Sequence, residues 1–304
     1  MSEEIAVTAT PSPTVNWSRV LTFIGITYAI DWGLVGALRL LGVRLAGPVG
    51  TVVAAGYMIV PAIVAIVLAR RWSVPLRDWG VRIPRNWYLA LAPLLPILLA
   101  VLTIGAAVLL GFGEFDPTGM AIIDRWEAGG QQELADRARA QADQLPINII
   151  LITLLSAPIA GFTINGLFSF GEELGWRGLL QQELAPLGFL RASALIGVIW
   201  GLWHAPLILQ GHNFPDHPRL GVLIMTVACV PLGIVMSWLA LKSQTVLSAA
   251  VAHGTFNAAS GVTLMAVRGG ETIEVFILGY AGILATTVVA AVLVALRPRP
   301  PEYV

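Results

Sequence analysis

The sequence predicts an all-α, polytopic membrane protein, a bundle of about eight transmembrane helices around a polar intramembrane cavity. Three observations carry that prediction. Of the 304 residues, 57% are hydrophobic and only 12% are charged, whereas a soluble domain carries about 25% charged residues. Mean hydropathy is +0.79. Runs of about 20 apolar residues recur along the chain, each long enough to cross a hydrocarbon core about 30 Å thick.

The apolar runs place spans at 18–38, 49–69, 88–112, 147–170, 192–210, 221–241, 245–267 and 273–296. Residues 1–17 contain Glu3, Glu4, Pro11 and Pro13 and lack the positive start and small-residue cleavage site of a signal peptide, so they read as a cytoplasmic tail ahead of a retained first helix. Residues 18–296 read as one transmembrane helical domain with a motif-bearing core at about 147–260, and 297–304 as a C-terminal tail. Eight crossings put both termini on one side.

Cytoplasmic loops carry an excess of Lys and Arg. The connection after the second span supplies Arg70, Arg71, Arg77, Arg82 and Arg85 against one acid, Asp78. With that loop inside, the inner segments hold eleven of the 18 basic residues and the outer segments the other seven, Arg39 and Arg44 among them. The prediction is therefore a multi-pass protein of the cell membrane with both termini cytoplasmic. The connection from 113 to 145 then lies outside with seven acids, and its stretch 131–144 reads either as a short surface helix or as a solvated connector.

Net charge is zero, with 18 basic and 18 acidic residues lying mainly between the apolar runs, so there is no basic face for nucleic acid. Membrane lipid is the expected surroundings. The single cysteine, Cys229, excludes an intrachain disulfide and any cysteine-rich zinc site.

An ionisable side chain within a span costs about 2.5–3.5 kcal/mol and therefore usually faces a cavity or a partner. Three clusters stand out: Glu172, Glu173 and Arg177 in GEELGWRG, His204 in WGLWHAP, and His253 with Asn257 in HGTFN. Residues four apart on a helix are neighbours, so Glu173 and Arg177 can pair while Glu172 points elsewhere. His253 and Asn257 likewise share a face, and His204 follows Trp200 by one turn. At 1.5 Å per residue, His204 lies about 18 Å and His253 about 12 Å from the inner ends of their spans. Glu172 falls about 38 Å along its helix, so that helix must tilt or begin outside the bilayer, leaving Glu172 near the inner end of the cavity.

Read singly, each cluster has a bland explanation: acids at a wet helix end, or a histidine bonded to a neighbouring helix. Together, inside four consecutive spans, they point to a site. His212 and His217, in GHNFPDHPRL, read as solvated loop residues, and Asp31 in the first span as structural.

These residues resemble the CAAX-protease and bacteriocin-processing family, membrane proteases that include the Ras-converting CAAX endopeptidase. Its EExxxR motif is met by Glu172, Glu173 and Arg177, its FxxxH motif by Trp200 and His204 with tryptophan for phenylalanine, and its HxxxN/D motif by His253 and Asn257. The resemblance implies an intramembrane endopeptidase in which Glu172 and His204 activate a water, His253 and Asn257 stabilise the oxyanion, and Glu173, Arg177 and Trp200 support them. The implied partner is a peptide or protein substrate, prenylated, bacteriocin-like or otherwise membrane-anchored.

Glu172, His204 and His253 could also ligate Zn²⁺ as a two-histidine, one-carboxylate set. The resemblance to the family's glutamate-dependent member favours a metal-free water, so no cofactor is expected, with zinc the open alternative. From other function classes, a transporter and a non-catalytic membrane scaffold also fit buried polar groups, although no internal repeat supports the former.

Overall fold

Helix α1 (Trp17–Leu40) begins at an Asn16 side chain that accepts the Arg19 amide and buries one stripe, Val20, Phe23, Thr27, Asp31 and Val35. The rest of its surface exposes large apolar side chains such as Leu21, Ile26 and Ile30. An apolar exterior of this kind is stable against lipid and not against water. In the computed structural model, residues 14–43, 45, 47–84, 86–142, 144–145 and 147–296 are described. Most of the expected N-terminal tail, the tail 297–304, and Arg44 and Arg85 lie outside them.

The chain continues through α2 (Gly47–Trp72), α3 (Leu94–Leu109), α4 (Ala121–Ala128), α5 (Gln132–Ala142), α6 (Ile149–Phe162), α7 (Ile164–Glu173), α8 (Phe189–Trp203), α9 (Pro218–Ser243), α10 (Val246–Ala259) and α11 (Tyr280–Ala295). Among the described residues, six helices are long and apolar enough to cross a membrane, and a seventh span arises if the bent pair 149–162 and 164–183 counts as one. The protein is a multi-pass helical membrane protein.

One of the eight expected spans takes another form. The segment 245–267 holds a 14-residue helix, α10, a turn, and five more helical residues, Val262–Ala266. At 1.5 Å per residue α10 reaches about 21 Å, short of a hydrocarbon core. It is lined by buried residues from Val246 to Phe256 and packs chiefly on α6 and α7, so protein rather than lipid surrounds it.

Contacts between loops define two ends. At one, Arg19 pairs with Glu183 at 3.0 Å and lies over the Trp72 ring, Thr245 donates to the Gly80 carbonyl at 3.0 Å, and Trp238 donates to the Leu296 carbonyl. The start of α1 and the end of α11 therefore share this basic end. At the opposite, acidic end a two-residue antiparallel ribbon pairs β1 (Glu114–Phe115) with β2 (Val267–Arg268), a feature an all-α reading does not contain. Arg125 donates there to the Gly270 carbonyl, and α5 forms the surface helix that composition allowed within 131–144.

The fourth span does not tilt as a rod. It breaks at Thr163 (φ −122°, ψ −120°) and bends by 57°. A Cβ on Gly166 would lie 1.9 Å from the Gly161 carbonyl oxygen, and one on Gly254 would lie 2.6 Å from the Gly166 amide. Glycine at both positions lets the fold of the helix close on itself while α10 crosses directly over it, the small-residue packing that brings membrane helices close. After Glu173 the helix widens into a π-helical stretch, Leu174–Leu180, buried throughout, a form that recurs at functional sites.

Candidate active site

The bend and the buried crossing of α10 set the depth of the polar residues. Because the helix runs on to Glu183 at the basic end, Glu172 sits eleven residues inside that end, about 16 Å, and is only 2% exposed. Glu172 is thus not the acid at a wet helix end that the bland explanation supposed. Oε2 of Glu172 accepts from Trp200 Nε1 at 2.7 Å and from Trp176 Nε1 at 3.4 Å, while Oε1 has no protein partner among the described residues.

Glu173 points the other way. Its Oε1 accepts from Arg177 Nη1 at 3.0 Å and from His253 Nδ1 at 2.8 Å, in surroundings where the Glu173 and Arg177 side chains are wholly buried. The Arg177 guanidinium also lies 4.6 Å from the centre of the Trp200 ring, close enough for a cation–π contact. The i,i+4 pair is as expected; His253 as its third member was not.

His204 follows the last residue of α8. Its Nδ1 donates to the Trp200 carbonyl at 2.8 Å, which fixes the tautomer and leaves Nε2 free. On α10, His253 and the exposed Asn257 lie one turn apart, and the Asn257 carboxamide has no hydrogen-bond partner among the described residues.

Glu172, Trp200, His204, His253 and Asn257 line one cavity of about 230 Å³. The cavity adjoins a groove of about 550 Å³ between α2 and α7, walled by side chains including Thr51, Ile164 and Phe168 and sharing Ala54, Met58, Leu207, His212 and Asn257 with it. This groove opens the cavity laterally, between α2 and α7. The cavity also reaches the acidic end, where His212, Asn213 and Ser260 line it; His212 and Asn257 are exposed, whereas Glu172 and His253 are buried. His212 therefore forms part of the cavity rim rather than an unconnected loop, whereas His217 pairs with Glu271 at the surface.

Zinc was the open alternative. Among the described residues, no three His, Cys, Asp or Glu side chains group closely enough to hold a metal ion. The carboxylate oxygen of Glu172 nearest the aromatic wall is occupied by two indole donors, and the His253 nitrogen that meets a carboxylate meets that of Glu173. These bonds leave Glu172 Oε1, His204 Nε2 and His253 Nε2 free, and the three side chains do not form a close group.

Two partners were missed from the sequence. Trp176 follows Glu172 by four residues, so the spacing that paired Glu173 with Arg177 also marked it. Asp31 binds Trp203, a contact across 172 residues for which no local spacing gives a signal.

Residues 144–259 match the family model described as Type II CAAX prenyl endopeptidase Rce1-like. This segment is similar to that family. Its limits fall close to the motif-bearing stretch of about 147–260, and the resemblance read from three short motifs is borne out. A curated relative named CAAX prenyl protease 2, from Methanococcus maripaludis, is 30% identical over an alignment covering 37% of this chain and 51% of the relative. The chain thus spans about half the length of the curated relative that it matches. Helices α1 to α3 lie outside the Rce1-like segment.

Proposed function

We propose that the protein is an intramembrane endopeptidase that hydrolyses a peptide bond with a water activated by Glu172 and His204. The observation that carries the reading is the convergence of Glu172, His204, His253 and Asn257, from three separate helices, on one cavity at membrane depth. In this reading Oε1 of Glu172 takes the water's proton, and the free Nε2 of His204 holds the same water against the scissile carbonyl. A base must lie within hydrogen-bond reach of the proton it removes.

As the tetrahedral intermediate forms, negative charge grows on the carbonyl oxygen. His253, with Nδ1 held on Glu173, presents Nε2 as an imidazolium donor, and Asn257 presents its free amide; one such donor is typically worth about 2.7–4 kcal/mol in the transition state. Glu173 and Arg177 brace His253, and Trp200 orients Glu172. No residue here needs a cofactor.

The substrate class that suits the site is a peptide on a membrane-anchored chain, because the lateral groove offers apolar walls beside the cavity. The relative named as a CAAX prenyl protease supports a prenyl-bearing peptide as the first substrate to try. The protein would sit in the cell membrane with the basic loop 70–82 and both termini cytoplasmic, which follows the excess of basic residues there.

The test is comparative proteomics of membranes holding the wild-type protein or Glu172→Ala, followed by cleavage of the candidate peptide by purified protein in lipid. The expected result is at least one membrane peptide cut only by wild type. Identical peptide sets, with both proteins folded and inserted, would overturn the reading in favour of a transporter or scaffold.

A further inference from the structure

The turn that carries His204 is held from outside the Rce1-like segment. Pro206 has no N–H to give, and the Leu207 amide bonds the His204 carbonyl at 3.1 Å instead of reaching back to Trp203. The Trp203 carbonyl is thereby left without a helical partner. Tyr57 of α2 donates to it at 2.6 Å and Trp32 of α1 at 3.1 Å. The Trp203 side chain is anchored separately: its Nε1 donates to Asp31 Oδ2 of α1 at 2.7 Å.

We propose that Asp31 is a positioning residue for His204, acting through the Trp203 indole. The inference rests on the hydrolytic reading above. The Trp203 ring stands edge-on to His204 with centroids 4.8 Å apart and meets the Trp176 ring at 5.6 Å, and Trp176 in turn donates to Glu172. Fixing the Trp203 ring therefore fixes the wall between the two groups that must share one water. Asp31 is wholly buried, and its Oδ1 has no partner. An acid within a span costs about 2.5–3.5 kcal/mol, as much as or more than one hydrogen bond to a charged group returns, about 1.5–3 kcal/mol. A leucine would fill the same space without that cost, so packing alone does not account for the aspartate.

The variants are Asp31→Leu, which removes the acceptor, Asp31→Asn, which keeps an oxygen for the indole, and Trp203→Phe, which removes the donor together with part of the ring. The first measurement does not depend on activity. In full-length protein labelled with ¹³C-histidine, with the signal assigned through His204→Gln, the ring resonance of His204 should move in Asp31→Leu and in Trp203→Phe, should stay near wild type in Asp31→Asn, and that of the surface His217 should stay put in all three. A His204 signal unmoved by Asp31→Leu overturns the proposal whatever the protein's activity. If Asp31→Leu does not fold, Asp31→Ala, which also removes the acceptor, carries the same test.

The second measurement is cleavage of the membrane peptide. Asp31→Leu and Trp203→Phe should each lower kcat about 10-fold or more with KM changed less than about twofold, Asp31→Asn should restore most of the rate, and the double variant should be no slower than the worse single variant. An unchanged kcat, or a loss confined to KM, overturns it. A wild-type protein that cuts nothing sinks the hydrolytic reading instead, and the histidine signal still reports whether Asp31 sets His204.

Discussion

Replacing Glu172 and replacing Glu173 by alanine should both impair cleavage but differ sharply in stability. Glu173 Oε1 is the sole acceptor given to two buried donors, Arg177 Nη1 at 3.0 Å and His253 Nδ1 at 2.8 Å. Arg177 Nε and Nη2 already have no partner, so Glu173→Ala leaves every buried guanidinium donor unpaired against only the face of Trp200. Breaking a buried pair in this way costs about 3–5 kcal/mol. At about 2–4 °C per kcal/mol for domains of 150–250 residues, melting should fall by about 10 °C.

Glu172→Ala strands two indole N–H groups, at about 1–3 kcal/mol each, but it also removes a buried carboxylate whose desolvation costs several kcal/mol. The net change should be near zero, while cleavage is abolished. The assay is thermal unfolding in one detergent, followed by loss of soluble folded protein so that fluorescence changes of nearby tryptophans do not mislead, with peptide cleavage measured on the same samples. If Glu172→Ala melts far below wild type and Glu173→Ala does not, the assignment of base and brace is reversed.

Asn257→Ala should lower kcat about 10²- to 10³-fold with melting unchanged, as expected for loss of one oxyanion donor, while His204→Ala should leave no measurable cleavage. A reporter fused after Arg82 should face the cytoplasm, and with it the cavity mouth at the acidic end should be reached by membrane-impermeant thiol reagents from outside in an Asn213→Cys variant; an outward-facing reporter reverses the orientation. At the acidic end, burial works to raise the Asp116 carboxyl, but the Thr118 hydroxyl and amide and the Arg268 guanidinium overcome it and hold it below the usual carboxylate range. A depressed folded pKa gives stability that is full above the unfolded value of about 3.9 and is lost as pH falls through the folded one. Hydrogen-exchange protection of residues 114–125 should therefore be flat from pH 7 to 5 and drop only in stronger acid, and Asp116→Asn should abolish that acid step.

What the sequence made legible followed helical spacing. Glu173 and Arg177, four apart, meet as spacing demands, His253 and Asn257, also four apart, line one cavity, and the apolar runs located the membrane passages. What it hid depended on contacts between distant segments or on backbone breaks. The bend at Thr163, which replaces the tilt expected of the fourth span, is set by Gly161, Gly166 and Gly254 packing in three dimensions. The Glu173–His253 bond joins residues 80 apart. Trp200, a simple aromatic substitution in the motif, proves to be the closest donor to Glu172, because an indole carries an N–H that phenylalanine lacks.

The lateral groove changes what concentration means for this protein. If the substrate is the bilayer-anchored chain proposed above, it reaches the cavity by diffusing in two dimensions, and the quantity that fills the site is then its mole fraction among lipids and not its molarity in the sample. Adding inert lipid or detergent at fixed protein and substrate would slow the reaction without inhibiting it. Water, coming through the mouth at the acidic end past His212 and Asn213, is untouched by that dilution, so the two reactants are supplied by separate phases.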